Sequence, residues 1–395
     1  MGPECAPEGI RLVQTGNLGI GNYKDRRDKA RFINDETFER LKCFEVFPTD
    51  ILISRLPDPV GRACIIPETG ERMITAVDCS IVRPKAAKVD PRFLVYYTQT
   101  ADYLRAVDER CTGTTRRRIS RKNLGQVPIP LPPLEEQKGI VAVLDQAFSA
   151  LDSARAHAEA NLADAQLLFE RQAAEIFQYL ERRHPARRTV ADVAASAKGS
   201  IRTGPFGSQL LHSEFVDNGI AVLGIDNAVA NEFRWAKRRY ITEKKYEQLS
   251  RYTVRPGDVV ITIMGTCGKC AVISDDIPLA INTKHLCCIT LDRTKSLPDY
   301  LHRYFLLSPT ARAYLSAQAS GSIMDGLNMG IIKGMPISVP PITAQGDVVG
   351  KIAKIEGGTR SIARRYKEQI ADLDSLRQSL LQKAFAGELI GGIRV

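Results

Sequence analysis

Four cysteines offer the most obvious chemistry in this sequence. Cys267 and Cys270 form a C-x-x-C pair, and Cys287 and Cys288 follow seventeen residues on, which invites a zinc reading. Adjacent residues of a strand face opposite ways, so Cys287 and Cys288 are poor joint ligands. The matching turn of the first half carries Pro59, Gly61 and Cys64 instead, and a strand, turn and strand with small residues is the better account. Gly265-Thr-Cys-Gly268-Lys269 echoes a phosphate loop, but its glycines are too close, and Cys270 stands where a Ser or Thr would hold magnesium. Glu136-Gln137-Lys138 matches only the tail of a nuclease carboxylate motif, and Glu135 and Glu136 suit a helix N-terminus equally well. His157, His184, His212, His285 and His302 show no metal spacing, and no N-P-P-aromatic or D-P-P-aromatic methyltransferase motif occurs. None of these signals makes a catalytic or metal site.

Cationic clusters are the remaining chemistry. Lys24, Arg26, Arg27, Lys29 and Arg31 form one; Thr114, Thr115, Arg116, Arg117, Arg118, Ser120, Arg121 and Lys122 form a denser one beside Gly113. A third, Arg234, Lys237, Arg238 and Arg239, falls 208 residues after the first. Arginine offers paired donors to phosphates and guanine edges, and Ser, Thr or Asn can serve either role. A charge run is usually just a solvated face. Recurrence at matching positions favours a polyanionic ligand over that reading. Where the first half has Arg116 to Arg118, the second has Met324, Asp325 and Gly326 followed by Asn328, as expected of readers of unlike targets.

The displacement of 208 organises the whole chain. Phe32 and Ile33 match Tyr240 and Ile241, Asp50 matches Asp258, Pro132, Pro133 and Gln137 match Pro340, Pro341 and Gln345, and Phe177 matches Phe385. Each half opens with short β-branched runs between Gly and Pro turns, such as Asp258 to Met264 and Ala271 to Ile273, mixed with helical stretches at Phe93 to Leu104 and Asp299 to Ala317. Each half then closes with a long amphipathic helix after a double proline. Its apolar or small positions step by three and four: Ile140, Leu144, Ala147, Leu151 through Phe169, Ala173, Ile176 and Leu180 in the first, and Ile352, Ile355, Thr359, Ile362, Tyr366, Ile370, Leu373, Leu376, Leu380 and Ala384 in the second. Gly357 and Gly358 weaken the second helix by about 1 kcal/mol each relative to alanine, enough for a local bend. Residues 188 to 208 have no first-half counterpart, so the first lobe is expected to lack an edge strand, through a start about twenty residues further upstream or through loss.

Composition bounds the rest. The 395 residues are 44% hydrophobic with 55 Lys plus Arg against 45 Asp plus Glu, a net charge of +10. Ordinary folded domains and a mild bias toward polyanions follow. No apolar run is long enough for a membrane helix, the start has no signal-peptide pattern, and the nine cysteines read as reduced thiols, so a cytoplasmic protein is expected. Residues 134–185 carry five basic and nine acidic groups and 342–395 nine and six, so the helices are oppositely charged and suited to pair.

Pro130-Leu-Pro-Pro-Leu-Glu-Glu-Gln137 with its long helix, the echo Val339-Pro-Pro-Ile-Thr-Ala-Gln345, and the closing Leu380-Leu-Gln-Lys-Ala-Phe-Ala-Gly-Glu-Leu389 resemble the specificity subunits of type I restriction-modification systems. Gly204-Pro-Phe-Gly-Ser208 and Gly265-Thr-Cys-Gly-Lys269 resemble turns of that family's target recognition domains. The resemblance implies an α+β protein, an internal pseudo-twofold repeat of two mixed α/β recognition domains (1–133 and 186–341) joined by long antiparallel helices (134–185 and 342–395) as a coiled coil. Each domain would read one half of a bipartite, asymmetric site on double-stranded DNA. The helices would space the lobes and dock modification subunits, two of them; S-adenosylmethionine, ATP and magnesium would belong to the modification and restriction subunits. A helix of this size reaches roughly 70 to 75 Å at 1.5 Å per residue, long enough to leave unread bases between half-sites. Ser208, Lys269, Ser322 and Asn328 join the cationic clusters as candidate DNA contacts. Two rival readings stand: a coiled-coil scaffold with peptide-binding lobes, which leaves the basic lobes unexplained, and the recognition part of a self-contained restriction enzyme, which requires catalytic motifs here.

Overall fold

The computed structural model describes residues 6–113, 117–235, 237–319 and 326–389. The first lobe contains β1 (Ile10–Val13), β2 (Phe32–Ile33), α1 (Asp35–Arg40), β3 (Glu45–Val46), β4 (Ile51–Ser54), β5 (Ala63–Ile65), β6 (Met73–Thr75), β7 (Cys79–Val82), α2 (Pro91–Tyr97), α3 (Ala101–Asp108) and α4 (Arg121–Leu124), followed by the long helix α5 (Leu134–Arg183). The second contains β8 (Arg188–Thr189), α6 (Val190–Val193), β9 (Ile201–Thr203), β10 (Ile220–Leu223), β11 (Tyr240–Ile241), α7 (Glu243–Leu249), β12 (Thr253–Val254), β13 (Val259–Thr262), β14 (Cys270–Val272), β15 (Ala280–Asn282), β16 (Leu286–Ile289), α8 (Pro298–Leu307), α9 (Pro309–Ala319), α10 (Met329–Gly334) and β17 (Pro336–Ile337), followed by α11 (Ile342–Phe385).

Every element from β1 to α5 has a partner from β10 to α11 in the same order, and the sheets repeat as well. One sheet runs β2-β1-β6-β3 in the first lobe and β11-β10-β15-β12 in the second; the other runs β5-β4-β7 and β14-β13-β16-β9. The extra strand β9 comes from the segment without a first-half counterpart. The edge of β7 that corresponds to it has no strand partner among the described residues.

The chain divides into two compact units, residues 1–160 with 366–395, and residues 161–365, so each long helix contributes to both. In the first unit the start of α5 packs antiparallel on the end of α11, with Ile140, Val141, Leu144 and Phe148 against Leu381 and Ala384 and Phe93 of the lobe. Arg155 pairs with Asp374 and Arg377 with Asp152, one ion pair in each direction. In the second unit Phe169, Ala173, Phe177 and Leu180 of α5 share a core with Val348 and Ile352 of α11, the lobe strands β13 and β16, and α8. Ile362 and Leu376, expected on the buried stripe, are 47% and 48% exposed. Gly357 and Gly358 lie within continuous α11, where nothing crowds them.

The lobe helices are shorter than periodicity suggests. The first expected stretch divides at Thr98-Gln99-Thr100, where the Thr100 hydroxyl caps α3; the second divides at Ser308-Pro309.

The glutamines of the double-proline motif are wholly buried clamps. Gln137 accepts the Asp90 N–H at 2.9 Å and donates to the Lys88 and Pro132 carbonyls at 2.9 and 2.8 Å. Gln345 makes the same set with Leu297 N–H, Lys295 and Pro340, at 2.9, 2.8 and 2.9 Å. Each carboxamide thus ties the start of a long helix to the loop before α2 or α8.

Candidate nucleic-acid interface

The two basic loops hang on a buried asparagine apiece. Asn17 Oδ1 accepts the Gln14 N–H at 2.9 Å and Nδ2 donates to the Lys24 carbonyl at 3.0 Å, while the Lys24 N–H returns to the Asn17 carbonyl at 2.8 Å. Asn227 repeats this with Gly224, at 2.9 Å, and with Arg234, at 2.9 and 3.1 Å. Sequence reasoning missed both. The signal was available as Asn17 and Asn227, but displaced by 210 in this segment. At that displacement Lys24 and Arg234 occupy the same station.

The first loop is braced by charge. Arg11, 1% exposed, pairs with Asp25 and with Glu71 at 3.0 Å, and Arg27 bridges the same two carboxylates at 2.9 and 3.1 Å. The hydrogen bond from Arg11 holds the Asp25 carboxyl below its usual range. Arg27 therefore presents a guanidinium whose carboxylate partners are already in place. Lys24 and Arg26 are exposed and form no ion pair among the described residues.

In the second cluster, Arg117 pairs with Asp108 at 2.9 Å and Arg118 with Asp78 at 3.4 Å, next to Arg55, which is 3.9 Å from the same Asp78 oxygen. Arg118 also exchanges backbone bonds with Thr112, at 2.9 and 3.0 Å. Arg121 and Lys122 open α4 behind the Ser120 cap, exposed and outside any ion pair among the described residues. Thr114, Thr115 and Arg116, and Ser322 of the second half, lie outside the described residues.

In the second lobe, Arg234 pairs with Glu232, Arg239 with Asp226 at 2.9 Å, and the Arg238 guanidinium lies 5.6 Å from the Trp235 ring centre. The Lys237 backbone donates to Asp226 at 3.1 Å, and its side chain makes no ion pair among the described residues. Lys269 comes to this loop: it lines a cavity with Asn231, Glu232 and Phe233, and the neighbouring Cys270 N–H donates to Asn231 Oδ1 at 3.2 Å. Ser208 sits elsewhere, exposed on the turn Gly207–Gln209 that Tyr252 holds through Gln209 at 3.0 Å. Asn328 caps α10, accepting the Ile331 N–H at 2.9 Å, as Ser120 caps α4.

The cysteines are packing groups. Cys287 and Cys288 point into different cores, and burial raises the Cys287 thiol to about 12. Among the described residues no group of three or more His, Cys, Asp and Glu is placed to hold a metal ion.

The two lobes share one topology, and each carries a cationic loop braced by ion pairs with different residues at equal stations, an arrangement whose chemistry suits polyanions. Comparison gives relatives. Residues 15–159 match the family model described as type I restriction modification DNA specificity domain. The EcoKI specificity subunit of Escherichia coli strain K12 is 24% identical over 415 residues, covering 96% of this chain and 82% of that one. The EcoBI specificity subunit of Escherichia coli is 24% identical over 320 residues; the match spans 76% of this chain and 66% of the relative's length. A solved chain of a type I R-M system superposes with a TM-score of 0.75 at 18% identity, over 98% of this chain and 96% of that one. The HsdS subunit from Thermoanaerobacter tengcongensis gives 0.53 at 18%, over 98% and 95%. Along most of its length the chain is thus similar to specificity subunits of type I restriction-modification systems, and its residues 15–159 match the DNA specificity domain of that family.

Proposed function

We propose that each lobe reads one half of a bipartite, asymmetric sequence on double-stranded DNA, and that the chain itself is catalytically silent. The observation that carries this is the repetition of one loop architecture with different residues at its stations: Lys24 against Arg234 on equivalent asparagine hinges, and Ser120 with Arg121 and Lys122 against Asn328 with Met329 and Gly330. A common scaffold with unlike tips suits two half-sites of different sequence.

The long helices dock two modification subunits. In the second unit a groove of about 510 Å³ supports this, with apolar Ile176, Leu180, Val348 and Ile355 between charged Glu175 and Lys351. S-adenosylmethionine chemistry belongs to those partners, and ATP and magnesium chemistry to restriction subunits, in the cytoplasm. No helix among the described residues is long and apolar enough to cross a membrane. Methylome sequencing of a host with and without the gene tests the whole reading: loss of one split methylation motif is expected, and an unchanged methylome would overturn it.

A further inference from the structure

The three arginines of the second basic loop have different partners, and the partner decides which donors are left. Glu232 takes both Nε and a terminal nitrogen of Arg234, and Asp226 takes a terminal nitrogen of Arg239 at 2.9 Å. A carboxylate so placed occupies N–H groups that a nucleic acid would otherwise engage. Arg238 is exposed and makes no ion pair or side-chain hydrogen bond among the described residues. It meets an aromatic ring instead, with its guanidinium carbon over Trp235, 5.6 Å from the ring centre. A ring face attracts the cation through its quadrupole and leaves the in-plane N–H donors open.

Trp235 is itself held. It is the single tryptophan of the chain, 37% exposed, and it meets Phe233 edge to face, with 5.3 Å between ring centres and 75° between planes. Phe233 packs in turn on the core that contains Ala221, Ala228, Val260 and Ala271. The backbone is tied on both sides of the pair. Asn227 holds the Arg234 N–H and carbonyl, the Lys237 N–H donates to Asp226 at 3.1 Å, and the Arg239 carbonyl accepts the Val222 N–H at 2.9 Å. The asparagine hinges and glutamine clamps recur in both lobes, as scaffold should. The aromatic does not: the first loop, from Lys24 to Arg31, contains none.

We infer that Arg238 is the base-reading cation of the second lobe, its paired donors taking O6 and N7 of one guanine in the major groove, and that Trp235 is the positioning residue that presents it. This rests on the proposed function and narrows it to one division of labour: Arg234 and Arg239 brace the loop, Lys237 meets phosphate, and Arg238 distinguishes bases. A phosphate contact carries no sequence information and needs little orientation, whereas a bidentate base contact needs a guanidinium held in place.

The probe is a duplex carrying the split motif methylated in a host with the wild-type gene, and copies in which each guanine in turn is 7-deazaguanine, which lacks the N7 acceptor. With the full chain, one such replacement, in one half of the motif, is expected to weaken binding about tenfold and to leave Arg238→Ala unaffected. Trp235→Ala should reduce that factor to about threefold, and Trp235→Phe should restore most of it. Arg238→Lys should keep the slope of affinity against salt and lose the discrimination. Absence of any replacement to which Arg238→Ala alone is indifferent, equal discrimination by the wild type and Trp235→Ala, or loss of affinity in Arg238→Ala with discrimination intact, the mark of a phosphate contact, would overturn this inference and leave the proposed function standing. A wild-type gene that adds no split motif to the methylome would overturn both.

Discussion

Replacing Gln137 or Gln345 with leucine would leave one N–H and two carbonyls without the partner that now serves them, at about 1 to 3 kcal/mol per buried orphan group before relaxation. A net loss of about 2 to 4 kcal/mol is expected for either variant, read as a lowered unfolding midpoint; glutamate, which keeps the acceptor but buries a carboxylate against two carbonyl oxygens, should lose at least as much. The motif letter was visible in the sequence, but its work was not, because its partners include backbone groups 47 to 50 residues away. Arg202 and Arg83 differ in a way that burial decides. Asp258 is 1% exposed and the Arg202 side chain 10%, whereas the Arg83 side chain is 49% exposed. Arg202→Ala strands a buried carboxylate and should cost about 3 kcal/mol or more; Arg83→Ala strands Asp50, also buried, but water can take the place of the half-exposed guanidinium, and the cost should be smaller, about 1 to 2 kcal/mol. His302 adds a pH dependence. Burial depresses its pKa from the usual 6.5, with its Nε2 2.9 Å from the Asn231 carbonyl, so the folded chain holds it neutral where the unfolded chain takes a proton. That contribution is complete above about pH 6.5 and is lost as pH falls toward the depressed value. A urea titration series from pH 7.5 to 5 should show declining stability that His302→Gln flattens, and an identical slope in the variant would refute the assignment.

Elements were legible in proportion to how local their causes are. The long helices follow from apolar steps of three and four sustained over more than forty residues, which no strand or loop mimics. The exposed Ile362 and Leu376 mark where periodicity ceases to report burial, since a stripe records which side of a helix is apolar but not what faces it. The breaks at Thr98-Gln99-Thr100 and Ser308-Pro309 were hidden inside apolar stretches that look continuous; a capping hydroxyl in the first and a proline in the second decide them. The basic loops were found by composition, yet their shape is set by Asn17 and Asn227, polar residues that no charge count selects. Asn227→Ala should loosen residues 225–239, seen as faster amide exchange there, and weaken DNA binding by about tenfold. The long helices and the first unit should be untouched, and unchanged exchange in the loop would remove the asparagine from that role.

For the molecule as a whole, the net charge of +10 says only that polyanions are attracted; the repeat says how the attraction is partitioned. Much of the cationic surface is spent on internal pairs, as with Arg27, Arg117, Arg118, Arg234 and Arg239, so the slope of DNA affinity against salt should report the unpaired cations. Lys24→Ala with Arg26→Ala in the first unit, and Lys237→Ala with Arg238→Ala in the second, provide a cycle. If the lobes read separate half-sites, each pair of changes should lower the salt slope by about one to two charges and relax discrimination at its own half-site alone. Contacts that share no partner add within about 0.5 kcal/mol. The quadruple variant should therefore lose the sum of the two losses. A shortfall of several kcal/mol, or relaxation of both half-sites by either pair, would mean that the lobes read one continuous site, and the bipartite reading would fall.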